Sequence, residues 1–136
     1  MKGITRINHI GLRVSNFKEA CEFYKELGFK YITGPGGPEP VAIIEHPCGI
    51  TINLILNANQ NHKINQLMDI DIKHTGYTHV ALEVDDGQEV IKDLATLGIS
   101  LSGGPIHHPG GTSFFIRDPD QNVIEFIEFK GLDAFK

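Results

Sequence analysis

The sequence has little of what several classes of protein require. Its 136 residues include only two cysteines, too few for a disulfide framework, so we expect a reducing, cytoplasmic setting. No apolar run approaches the roughly 18 residues that span a bilayer, and the first ten residues lack the apolar core of a signal peptide. The 12 basic residues are outnumbered by 17 acidic ones, which argues against nucleic acid or an anionic membrane as a partner.

The residues that are present indicate one strand-rich globular domain. Hydrophobic residues make up 40% of the chain and charged residues 21%, which is typical of a globular protein. The 15 glycines and seven prolines predict many turns. A length of 136 residues suffices for one domain with a real core, so we predict a single domain over 1–136.

The chain repeats itself. INHIGLRVSNFKEACEFYKELGFKYITG matches YTHVALEVDDGQEVIKDLATLGISLSGG at a shift of 70 positions, and VAIIEHPCGITINLIL matches SFFIRDPDQNVIEFIE at a shift of 72. The aligned pairs are His9 with His79, Asn16 with Asp86, Gly28 with Gly98, and Asn53 with Glu125. The aligned residues include helix caps, helix stripes and strand patterns, so we interpret the repeat as structural.

Each half is predicted to contain a strand, a helix and three further strands. The modules would span 4–56 and 76–130, with a polar connector over 57–75 in which a helical turn is conceivable. The predicted later strands are 30–33, 41–45, 50–56, 99–102, 112–117 and 122–129. The Gly/Pro-rich tracts GPGGPEP (34–40) and GGPIHHPGGTS (103–113) are predicted to be loops. The fold class is therefore α+β, with two repeated βαβββ modules.

Four polar side chains are predicted on the strand faces that point away from the helices. Strand alternation places His9, Asn53, His79 and Glu125 there, opposite the apolar residues that face the helices. Two imidazoles and a carboxylate suit a divalent transition metal. Glu125 lies in the apolar run VIEFIEF, where a carboxylate is costly unless it is paired or coordinated. The alternative is that each histidine is an ordinary hydrogen-bonded strand residue.

At these residues the chain resembles the vicinal oxygen chelate superfamily, which includes glyoxalase I, fosfomycin-resistance proteins, extradiol dioxygenases and bleomycin-resistance proteins. NHIGLRVSNFKEACEFYKELGF, YTHVALEV and FFIRDPDQNVIEFIE carry the likeness. It implies a cup-shaped, incomplete barrel, a homodimer, and a divalent metal ion (Zn, Ni, Co, Mn or Fe) bound by His9, His79 and Glu125. Asn53 stands where glyoxalase I proteins have a glutamate ligand, so it is a further candidate metal ligand through its amide oxygen, although an amide takes no proton at neutral pH.

The resemblance leaves the reaction open. We expect a metal-dependent enzyme of lyase or isomerase type that acts on a small molecule with adjacent oxygens, with Glu125 as a catalytic residue. An extradiol dioxygenase is an alternative, because His108 precedes Phe115 and Glu125 as in that family, although Phe115 stands where the dioxygenases have tyrosine. A non-enzymatic binding protein of the bleomycin-resistance kind is another.

Two further features bear on these alternatives. His108 is either a solvated loop residue or a substrate-side acid or base. A fosfomycin-type enzyme would need cations around a phosphonate, for which Arg13 and Arg117 are the candidates.

Overall fold

Each half of the chain folds as one strand, one helix and three more strands. The computed structural model describes residues 1–59 and 64–136, and it divides the chain into two units, Met1–His62 and Lys63–Lys136. The first unit contains β1 (Ile10–Arg13), α1 (Phe17–Glu26), β2 (Lys30–Gly36), β3 (Val41–Glu45) and β4 (Thr51–Ile55). The second contains β5 (His79–Glu83), α2 (Gly87–Thr96), β6 (Gly103–His108), β7 (Gly111–Arg117), β8 (Val123–Phe129) and a 3₁₀ helix (Leu132–Phe135).

The two sheets have the same topology. Their strand orders are β1-β4-β3-β2 and β5-β8-β7-β6. In each sheet the first and last strands of the unit pair in parallel, with Gly11 opposite Asn53 and Ala81 opposite Glu125. These registers reproduce the shifts of 70 and 72 positions. The α+β class and the repeated βαβββ modules are therefore confirmed.

The helices begin and end as the repeat predicts. The side chains of Asn16 and Asp86 accept hydrogen bonds from the backbone N–H of Glu19 and Glu89, at 3.0 and 3.2 Å. Both helices are followed by a glycine with positive φ, 101° at Gly28 and 76° at Gly98. Such caps satisfy the backbone groups that a helix leaves unpaired at its ends.

The extents of the edge strands were predicted wrongly. The second strand of the second unit is β6 at Gly103–His108 rather than 99–102, so His107 and His108 lie in a strand and not in a loop. Likewise β2 extends through Gly36 into the tract predicted as a loop. Gly-Pro is tolerated here because an edge strand has one side without ladder hydrogen bonds. Gly104 has φ +80°, and a Cβ on it would lie 2.7 Å from the Ser113 carbonyl oxygen.

The strand faces alternate as predicted. On β4, Ile52 and Leu54 are buried while Asn53 between them is half-buried. On β8, Ile124 and Phe126 are buried on either side of the half-buried Glu125. The apolar face of each sheet forms the core with its helix, and the opposite face carries the polar residues. Among the described residues, no helix has the length and apolar character to cross a membrane.

The described part of the connector, residues 64–75, forms turns rather than a helix. The Asn65 side chain accepts hydrogen bonds from the backbone N–H groups of Leu67 and Met68, and its amide donates to the Gln121 carbonyl. Arg117 holds the same turn, because its two terminal nitrogens each donate to an Asp69 oxygen at 2.9 Å. The connector is thereby tied to the β7–β8 hairpin.

The Asp69–Arg117 pair predicts a stability difference that depends on pH. The hydrogen bond from Arg117 lowers the pKa of Asp69, so the ion pair stabilises the fold at pH values above about 3.9, the pKa of an unfolded aspartate. This contribution is lost as pH falls through the lowered native pKa. We expect Asp69→Asn to lower the free energy of unfolding at pH 7, and the difference from wild type to shrink as pH falls below about 3.9 toward the lowered native pKa. Urea denaturation at pH 7, 4 and 3 measures it, and a difference that persists undiminished at pH 3 would contradict the assignment.

Candidate metal centre

The parallel pairing of β5 with β8 brings His79 and Glu125 into contact. His79 lies two residues before Ala81, the register partner of Glu125. The Nε2 atom of His79 is 3.0 Å from the Oε1 atom of Glu125, and the two side chains are 34% and 15% exposed. A carboxylate in a largely apolar strand thus has a specific partner, which reduces the cost of its burial.

The other nitrogen of each repeated histidine is held by the residue that precedes it. Thr78 Oγ1 lies 2.8 Å from His79 Nδ1, and Asn8 Oδ1 lies 2.8 Å from His9 Nδ1. Because the Asn8 side-chain oxygen only accepts, the proton of the His9 contact is on Nδ1. In both modules the contact to the preceding residue uses Nδ1, and a hydrogen bond to one ring nitrogen orients the other in histidines that bind metal ions.

The geometry of His79 and Glu125 fits a bound cation. If His79 Nδ1 also donates to Thr78, its Nε2 lone pair faces a carboxylate oxygen at 3.0 Å, and two acceptors at that distance need a cation between or beside them. A metal ion is one solution, and the other tautomer is a second, in which Nε2–H donates to Glu125 and the Thr78 hydroxyl donates to Nδ1. Two ligands at about 2.1 Å from an ion and at right angles to each other are about 3.0 Å apart, so the pair suits adjacent coordination positions.

Two further residues extend this contact. The Ser113 hydroxyl on β7 donates to Glu125 Oε2 at 2.8 Å, and His108 Nε2 on β6 lies 2.8 Å from the same hydroxyl oxygen. Ser113 is 4% exposed. His108 was a candidate site residue in the sequence, and Ser113 was not. The available signal was its position two residues before Phe115 on one strand, since alternate residues share a face.

Phe115 forms an apolar wall beside the pair. It is the register partner of Glu125, and its ring centroid is 6.2 Å from that of His79, in an edge-on arrangement. The neighbouring histidine, His107, is exposed and contacts Thr112 instead, with Nδ1 3.0 Å from the threonine hydroxyl. Only one of the two adjacent histidines therefore belongs to the Glu125 network.

The first unit holds His9 and Asn53 at the positions equivalent to His79 and Glu125. His9 immediately precedes β1, and Asn53 is on β4 opposite Gly11. Within each unit, over the ranges 1–59 and 64–136, no group of three or more His, Cys, Asp and Glu side chains is placed to hold a metal ion. The predicted ligands thus come as a pair in the second unit and as a histidine and an amide in the first.

Both arginines that were candidates for a phosphonate site are paired with carboxylates. Arg13 donates to Glu39 and to Asn57, each at 3.0 Å. Arg117 is occupied by Asp69, and that contact raises its pKa. An arginine that already shares its charge with a carboxylate attracts a further anion less strongly, so these two residues give little support to phosphonate binding.

Comparison with known proteins identifies the family. The model of the glyoxalase, bleomycin-resistance protein and dioxygenase superfamily matches residues 6–126. The chain belongs to this superfamily. A solved structure of a glyoxalase family protein from Enterococcus faecalis superposes with a TM-score of 0.75 at 21% identity, and the match covers 90% of this chain and 97% of that one. At this identity the superposition supports the fold alone, which agrees with the two βαβββ units.

Curated relatives of this superfamily member have more than one activity. A protein named lactoylglutathione lyase from Neisseria meningitidis serogroup A is 30% identical over 134 residues, with 94% of both chains covered. The metallothiol transferase FosB from Staphylococcus epidermidis is also 30% identical, over 125 residues that cover 90% of this chain and 80% of that protein. Similarity of this degree supports enzymatic activity within the superfamily and leaves the type of reaction open.

Proposed function

We propose that this superfamily member is a metal-dependent enzyme of lyase or isomerase type that acts on a small molecule with adjacent oxygens. Its divalent ion would be held in the second unit by His79 and Glu125, and the ligand roles of His9 and Asn53 stay predictions from the family resemblance. The observation that carries the proposal is the approach of His79 Nε2 to Glu125 Oε1 at 3.0 Å. The likeness to the lactoylglutathione lyase over nearly the whole chain supports the class of reaction.

The residues of the site have separate tasks in this proposal. A divalent ion, when bound, supplies a Lewis acid that stabilises an enolate-like oxyanion. Thr78 orients the His79 ring through Nδ1. Phe115 keeps water from one side of that ring. His108 reaches the site through the Ser113 hydroxyl, so it is a candidate to take or return a proton at the rim.

Glu125 and Asn53 occupy equivalent positions of the repeat, and of these two residues only Glu125 is a carboxylate. A glutamate at both positions would offer two groups able to carry the substrate proton, whereas the Asn53 amide offers none. We therefore assign the proton transfer between adjacent substrate carbons to the Glu125 carboxylate. Such a step would be a shift of one proton between adjacent carbons of the substrate, with no net oxidation.

Metal-loaded protein assayed with three substrates tests the proposal. Protein stripped of metal is reconstituted with Mn²⁺, Co²⁺, Ni²⁺, Zn²⁺ or Fe²⁺ and given a glutathione thiohemiacetal, a catechol with dissolved oxygen, or fosfomycin with a thiol. We expect conversion of the thiohemiacetal to a thioester with at least one metal and none in the stripped protein.

The other outcomes overturn the proposal in distinguishable ways. Oxygen uptake on the catechol with Fe²⁺ would make the protein a dioxygenase, and thiol addition to fosfomycin would make it a transferase. No binding of any metal by the wild type, measured by elemental analysis after reconstitution, would leave a non-enzymatic binding protein.

A further inference from the structure

We infer that Ser113 and His108 are positioning residues that make Glu125 a one-oxygen metal ligand. This inference rests on the proposed metal site, and it gives Ser113 and His108 a role in orienting a metal ligand that the family likeness does not assign. The chain of contacts is His108 Nε2 to Ser113 Oγ at 2.8 Å, Ser113 Oγ to Glu125 Oε2 at 2.8 Å, and Glu125 Oε1 to His79 Nε2 at 3.0 Å. One carboxylate oxygen faces the serine and the other faces the histidine.

The number of protons available in this series of contacts determines which group donates and which accepts in each hydrogen bond. An ionised Glu125 only accepts, so the single Ser113 proton is used on Oε2. The bond between His108 and Ser113 must then use a proton on His108 Nε2, with the serine oxygen as acceptor. His108 is thereby held in its Nε2–H form, and Ser113 cannot turn away from Glu125 without breaking that bond.

Burial makes the arrangement rigid. Ser113 is 4% exposed, so water competes little for its hydroxyl, and its strand is paired on both sides, with β6 and with β8. A carboxylate whose Oε2 accepts a buried hydrogen bond is restrained from rotating to offer both oxygens to one ion. Groups that orient metal ligands in this way typically change the affinity for the metal 10–100-fold.

Metal affinity in a set of variants tests the inference. We expect Ser113→Ala to weaken Co²⁺ binding by roughly 10–100-fold, measured by competition with a chelator, and to change the visible absorption of bound Co²⁺. His108→Ala should weaken binding less, since His108 acts only through the serine. His108→Gln, which keeps a donor, should recover part of that loss.

The double variant Ser113→Ala/His108→Ala shows whether the two residues affect metal affinity through one series of contacts or independently. If His108 acts through Ser113, His108→Ala adds no loss of affinity once Ser113→Ala is present. Losses that multiply in the double variant would overturn the inference. In ¹⁵N spectra of the wild type, we expect His108 to be protonated at Nε2, and this preference should disappear in Ser113→Ala.

The same two strands supply a matched control. Thr112 pairs with His107 through a hydroxyl contact at 3.0 Å, next to the Ser113–His108 contact. Thr112→Val should leave Co²⁺ affinity and spectrum unchanged, and an equal loss in this variant would mean that any disturbance of β7 has the effect. If Ser113→Ala keeps the wild-type affinity for Co²⁺ while Glu125→Ala loses it, this inference is overturned and the proposed function is not. Equal metal binding by wild type and Glu125→Ala overturns the proposed function itself.

Discussion

Glu125→Gln lowers the affinity of the protein for divalent metal by at least about 100-fold and removes its metal-dependent activity. Loss of a direct ligand should exceed the 10–100-fold loss that follows removal of a residue supporting a ligand. The substitution keeps the size of the side chain and an oxygen that can accept from Ser113, and it removes the negative charge beside His79. The expected loss therefore reports the carboxylate's charge rather than a packing defect.

Competition with a chelator measures this affinity, and the denaturation midpoint of the metal-free variant shows whether the fold is intact. The control is Asp93→Ala, which removes an exposed carboxylate from α2 in the same unit and places a good helix former there. We expect wild-type affinity in that variant. A Glu125→Gln protein that binds metal as tightly as the wild type would show that Glu125 is not a ligand.

Phe114→Ala destabilises the fold by about 3–5 kcal/mol, the usual cost of emptying a buried aromatic site. Phe114 is fully buried on β7, between the residues Ser113 and Phe115 that face the site. Its ring stacks on Phe126 with centroids 5.4 Å apart. The cavity would lie beneath β7, the strand that carries Ser113. The substitution would therefore weaken the packing of the core and also the strand that supports the site.

For a chain of this length, such a loss lowers the midpoint of thermal unfolding by roughly 10–20 °C. Calorimetry or denaturant unfolding measures it. Tyr77→Ala is the control in the same unit, because Tyr77 is completely exposed, and substitutions at such positions usually change stability by less than about 0.5 kcal/mol. Similar losses in the two variants would contradict the assignment of Phe114 to the core.

Strand ends were the weakest part of the sequence prediction, and the edge strands show why. β3 was predicted correctly at 41–45 because the short apolar run VAII, which follows a Gly/Pro-rich tract, is typical of a strand. The β6 residues GGPIHH contain no such run, and all but the first and last are exposed. An edge strand contributes little to the core, so its sequence carries little hydrophobic pattern, and only its pairing with β7 defines it.

The contact between Arg117 and Asp69 illustrates a second kind of information that the sequence lacked. The two residues are 48 positions apart, and neither a repeat nor a periodicity links them. Arg117 was therefore interpreted as a possible substrate-binding cation. The structure pairs Arg117, at the end of β7, with Asp69 of the connector turn, so its charge stabilises the fold.

The sequence by itself determined the repeat, both helices with their caps, and the faces on which Asn53 and Glu125 lie. These features depend on contacts within a few residues of each other or on the fixed two-residue period of a strand. Only the tertiary structure decided that Glu125 meets His79 on one side and Ser113 on the other. The His79 contact joins residues 46 positions apart, and the Ser113 contact crosses the β7–β8 hairpin. The strand register that creates both contacts follows from packing of the whole sheet.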